Sequence, residues 1–160
     1  MRNFVFIRIA FSFYTLISVG TWAQDDETVL AVASDQVETY WVPIKKVAPV
    51  YPMKSIRNGE QGCVAVGYII EPDGTTSNHR AVASFPSNNF DRASVDAAKQ
   101  FLYEPAETNK DRAAIFTTNS FTFNINRNKK HDEKMQKELD ALCTAAANKA
   151  LKFAPAGPDA

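Results

Sequence analysis

The sequence predicts an α+β domain, and three observations carry that prediction. Val64, Val66, Tyr68 and Ile70 alternate with Cys63, Ala65, Gly67 and Ile69, a period of two that fits a strand over residues 62–71. Phe90, Ala93, Ala97 and Phe101, with Val95, Ala98 and Leu102, recur every three to four positions, the spacing of one buried helical stripe. Alternation then returns over residues 117–125, with Phe121, Phe123 and Ile125 on one face.

The remaining elements follow from local chemistry. Residues 24–36 are acidic at first and then Ala-, Val- and Ser-rich, with too little turn chemistry to define an element, so they are expected to form a short leader. Pro43, Pro49 and Pro52 exclude a helix interior over residues 37–52 and favour extended chain. Pro52 suits the start of a short helix, Met53 to Asn58, that Gly59 ends. Glu71-Pro72-Asp73-Gly74 places Pro and Gly where a type I hairpin turn uses them, so a second strand is expected over residues 75–84, although its alternation is poor. Ser87, Asn88 and Asn89 offer side-chain oxygens to cap the helix that begins near Phe90, and Pro105 is expected to end it. The third strand follows that helix and is free to pair beside the first. Met135, Leu139, Leu142 and Ala146 lie at helical spacing within residues 131–152, and Pro155, Gly157 and Pro158 mark a frayed tail.

Composition bounds the function. The 160 residues are 45% hydrophobic and 22% charged, with 18 basic and 18 acidic side chains. This is ordinary globular composition, without the basic footprint that nucleic-acid binding needs. Arg2, an apolar run over residues 9–20 and the small residues around Thr21-Trp22-Ala23 read as a secretory signal peptide cleaved after Ala23. Cleavage would leave 16 basic and 18 acidic side chains, a net charge of −2. The alternative is an uncleaved anchor over residues 4–23, which would place Arg8 inside the bilayer near one end. Membrane contact is expected only in that case.

The order of punctuation is itself informative. Val47-Ala48-Pro49-Val50-Tyr51-Pro52, then Gln61-Gly62, then Pro72-Asp73-Gly74, then Tyr103-Glu104-Pro105, closing on Phe121-Thr122-Phe123-Asn124-Ile125, resembles the TonB C-terminal domain over about half the chain. The resemblance implies a three-stranded antiparallel sheet with two helices on one face. It also implies a periplasmic module that grips an extended segment of an outer-membrane transporter by adding it to the edge of the last strand. On that reading Thr118, Asn119, Ser120, Phe121, Thr122, Phe123, Asn124 and Ile125 supply the edge, and Ala48, Pro49 and Val50, before the Tyr-Pro pair, also touch the partner. The apolar N-terminal segment has no His beside a Ser, as the family's anchor helix does. The two dozen or so residues between Ala23 and Val47 span at most roughly 80 Å. An energy transducer anchored in the inner membrane is therefore the second reading, and self-association through the edge strand is the third.

Cys63 and Cys143 are the only cysteines. In an exported chain they can form one intramolecular disulfide, the alternative being two separate buried thiols. If Val64, Val66, Tyr68 and Ile70 face the two family helices, then Cys63, Ala65, Gly67 and Ile69 face the other side of the sheet. Small apolar residues there call for a cover, and the C-terminal helix, tied through Cys143, is expected to provide it.

Catalytic and metal-binding patterns are not found. His79 and His131 have no second ligand at metal spacing. Ser84, Ser87 and Ser94 lack a nucleophile context, and Gly59 and Gly62 form no phosphate loop. No cofactor and no enzymatic activity are expected.

Overall fold

A computed structural model describes residues 29–125 and 129–153 of the chain. The signal-peptide or anchor segment, residues 126–128 and the tail from residue 154 lie outside that description, as do the side chains of residues 129–132 and 153.

The architecture is built around β3 (Gly62–Ile70), which is buried along all nine residues. It lies between β4 (Thr76–Phe85) and β6 (Ile115–Phe123), antiparallel to both. A two-residue strand, β1 (Leu30–Ala31), runs parallel to the far side of β6, giving the order β1-β6-β3-β4. A separate ribbon pairs β2 (Trp41–Lys45) with β5 (Leu102–Pro105). Among the described residues three α-helices complete the fold: α1 (Met53–Asn58), α2 (Asp91–Ala98) and α3 (Lys129–Ala150).

Alternation along β3 sends side chains to two different cores. Val64, Val66, Tyr68 and Ile70 meet Phe90, Ala97 and Ala98 from the helical layer, Phe101 and Tyr103 after it, and Phe121 and Phe123 of β6. Aromatic contacts knit this face: Tyr68 stands edge-on to Phe101 with centroids 6.0 Å apart, and Phe90 stacks on Phe123 at 4.3 Å. Such pairs add about 0.5–1.5 kcal/mol beyond their area burial. The one polar group on this stretch of β3, the Tyr68 hydroxyl, is satisfied by the Tyr103 hydroxyl at 2.8 Å. Trp41 is fully buried and donates Nε1–H to the Ala113 carbonyl at 3.0 Å, anchoring the ribbon to the loop that leads into β6. On the opposite face, Cys63, Ala65 and Ile69 are buried with Phe116 and Thr118 of β6, and α3 crosses all three long strands.

Several elements differ from the sequence expectation. The leader contributes β1. Proline-bearing residues 41–45 form a strand because Pro43 sits at a register shift, where a missing N–H costs little. The helix expected to run to Pro105 ends at Ala98. Beyond it Phe101 and Tyr103 point inward and Leu102 and Glu104 outward, so a strand alternation carries on the apolar spacing of the helix. No side chain of Ser87, Asn88 or Asn89 caps α2; Ser84 Oγ donates instead to the Asp91 carboxylate in its first turn. Register shifts opposite Ala65/Val66 and Gly67/Ile69 explain the poor alternation of β4.

The β3–β4 connection leaves no freedom at Gly74. The residue has φ 83°, its N–H bonds the Glu71 carbonyl at 2.8 Å, and a Cβ there would stand 2.1 Å from the Tyr103 carbonyl oxygen. Substitution must therefore move the start of β5 as well as strain the turn. Gly74→Ala is expected to destabilise the fold by at least about 2 kcal/mol, read as a lower urea midpoint with unchanged slope.

Candidate partner-binding edge

The geometry of β6 decides what its outer edge offers. Its register with β3 is unbroken from Phe123 to Ile115, so backbone direction alternates strictly along it. At Ile115 and Phe116 the outer side is taken by β1, and the Val32 N–H bonds the Phe116 carbonyl at 2.8 Å. Phe116 therefore turns its backbone polar groups outward, and the two-residue period extends this to Thr118, Ser120 and Thr122.

The chain leaves the edge after Val32. Thr117 Oγ1 donates to the Val32 carbonyl at 2.8 Å, the Gln36 N–H closes a turn onto Ala33 at 2.9 Å, and Val37 re-enters the core. Among the described residues no strand pairs with β6 on this side beyond Phe116. Residues 118–123 thus form an open edge continuous with a segment already occupied by a parallel strand.

Of the sequence-predicted edge residues, Thr118, Phe121 and Phe123 are buried and serve packing, while Ser120 is exposed. Thr118 Oγ1 has no hydrogen-bond partner despite its burial beneath α3. Asn124 and Ile125 lie past the end of β6, where Asn124 Nδ2 donates to Gln136 Oε1 at 2.8 Å and the Ile125 N–H to Gln61 Oε1 at 3.4 Å. Each face of the strand has a polar neighbour that the sequence reading missed. Toward the α1/α2 side, Lys46 Nζ donates to Asn119 Oδ1 at 3.1 Å and lies 5.6 Å from the centre of the Phe101 ring. Partial burial lowers the Lys46 pKa, and the charge of Glu38 opposes that shift. Toward α3, Thr122 Oγ1 donates to the Asp140 carboxylate.

Ala48, Pro49 and Val50 lie elsewhere. Val47, Ala48, Val50 and Pro52 face Ala93 and Ala97 of α2 across an open groove of about 390 Å³ rimmed by Arg92 and Asp96. Val50 is 82% exposed, and β6 contributes nothing to the lining. Tyr51, next in sequence, is structural: its ring stands edge-on to Phe90 at 5.5 Å and to Phe123 at 5.4 Å, bracing the end of β6.

Cys63 and Cys143 form a disulfide with Cα atoms 6.3 Å apart, both residues fully buried. It fastens α3 to the second face of β3. His79 Nε2 lies 2.9 Å from Thr76 Oγ1, and burial lowers its pKa, with Lys99 adding to the effect. Among the described residues no three His, Cys, Asp or Glu side chains gather as a metal site, and no helix is long and apolar enough to cross a membrane.

Residues 47–125 match the model of the Gram-negative bacterial TonB protein C-terminal family. The domain in this chain belongs to that family. A curated relative, protein TonB of Pseudomonas aeruginosa, is 31% identical over 85 residues, which cover 53% of this chain and 25% of the relative. The chain therefore spans about a quarter of the length of that TonB protein. The solution NMR structure of the Pseudomonas aeruginosa TonB C-terminal domain superposes with a TM-score of 0.53 at 27% identity, covering 61% of this chain and 96% of that one. β1, β2 and α3 all lie outside the residues matched to the TonB family model, so the disulfide joins the family domain to a helix beyond it.

The bridge closes a loop of 80 residues, which in the chain-entropy model stabilises by about 4–5 kcal/mol. Reduction, or Cys143→Ser, is expected to lower the unfolding free energy by up to that amount, measured as a shift of the urea midpoint with and without reductant.

Proposed function

We propose that the domain is a periplasmic binding module of TonB-dependent transport. Its β6 edge takes up an extended segment of an envelope partner, of the outer-membrane transporter type, as an added strand. The observation that carries this reading is the open stretch at residues 118–123, in line with a stretch of the same edge already filled by β1. Unpaired backbone groups give affinity for any extended chain that reaches them, and flanking side chains set preference. The role is binding rather than catalysis, and it requires neither cofactor nor metal.

Ser120 offers the cleanest test, because its side chain is exposed and its N–H is directed outward by the alternation fixed at Phe116. Proline at that position removes one edge donor without touching the core. Ser120→Pro is expected to weaken binding of synthetic N-terminal segments of outer-membrane transporters at least tenfold in fluorescence anisotropy, while circular dichroism stays unchanged. Equal affinity of the two proteins would remove strand addition. Complexes that grow with protein concentration in light scattering, without peptide, would instead favour two copies pairing through the same edge.

A further inference from the structure

α3 crosses the sheet along a definite line. Ala146 and Ala150 lie beside Ala81 and Val82 of β4, Cys143 is bonded to Cys63 of β3, and Asp140 and Gln136 reach Thr122 and Asn124 at β6. The helix therefore lies on one face of β6 where that strand ends, and forms one wall of the open edge from outside the family domain.

The two walls differ in charge. On the α3 side the group held against β6 is the Asp140 carboxylate. It has a lysine and a glutamate nearby on its own helix, Lys137 and Glu138, the latter 3.9 Å from Lys134. On the other side the group held against β6 is the Lys46 ammonium, with Glu38 in the turn that follows β1 near enough to act on its charge.

We propose that these walls read the partner, so that the edge selects an extended segment with an acidic residue followed three positions later by a basic one. The register gives the spacing. A residue of an added strand shares the face of the β6 residue beside it, so one beside Asn119 faces Lys46 and one beside Thr122 faces Asp140. β1 establishes that this edge accepts a parallel neighbour, and in that direction the acid precedes the base. Antiparallel entry would invert the order. The inference rests on the strand-addition reading and goes further by naming the chemistry of the segment.

The test uses the full oxidised chain and two labelled six-residue peptides of alternating Thr and Val, the length of the open stretch. One has Glu at position 2 and Lys at position 5, and the other has the two exchanged. The first is expected to bind about tenfold more tightly at low salt, each end contributing roughly three- to fivefold, and the preference is expected to fade by 0.5 M salt. The double variant Lys46→Glu, Asp140→Lys is expected to invert the preference, which a merely structural role for either residue would not do. Equal affinity of both peptides, with amide shifts at Thr118, Ser120 and Thr122, would overturn the charge reading and leave strand addition standing. Binding of the exchanged peptide in preference would likewise overturn it, by showing antiparallel entry. Absence of binding and of edge amide shifts for both peptides would sink both readings together.

Discussion

A strand buried on both faces must be covered twice, and β3 imposes that requirement on everything around it. Its outward-facing groups are too apolar for water: Cys63, Ala65 and Ile69 on one side are as buried as Val64, Val66 and Tyr68 on the other. α2, with Phe90 before it and Phe101 and Tyr103 after it, satisfies the first face. The second needs another element, and the C-terminal helix provides it, with alanines at 146, 147 and 150 that let the helix lie close to the sheet. The stripe on α3 buries little apolar area, which is why a covalent tie at Cys143 matters more here than it would for a Leu-rich helix.

The same arrangement separates what supports the edge from what it presents. Phe121 and Phe123 are fixed from beneath by Phe90, Phe101 and Tyr51, so β6 is held rigidly in the plane of the sheet. Its exposed backbone is therefore preorganised, so that under the proposed strand addition the ordering cost falls on the incoming segment alone. Lys46 and Asp140 are held in place by hydrogen bonds to Asn119 and Thr122 on opposite faces of that strand.

Much of the fold was legible in the sequence where one local rule acted alone. The alternation from Cys63 to Ile70, the Pro-Asp-Gly turn and the Pro52-to-Gly59 helix all appear where periodicity and turn chemistry place them. β1 was not legible, because two residues carry no period and their pairing depends on Phe116, 85 positions away in sequence. The helix boundary was misread because Phe101 satisfies a four-residue helical repeat from Ala97 and a two-residue strand repeat to Tyr103 at once. Of the candidate site, the strand could be named from its alternation and the family resemblance. Lys46 and Asp140 could not, since nothing in sequence marks a lone surface charge as lying beside an edge 73 or 18 residues away.

The short parallel strand at the head of β6 has a consequence for solubility. A nine-residue edge of regular pleat is long enough to template stacking against a neighbouring molecule, and proteins that expose one risk growing into fibres. By tucking Leu30 and Ala31 against its first residues and turning away at Ala33, the chain leaves a gap bounded at one end by its own backbone. A gap of that kind offers no continuous ledge on which a second sheet can build.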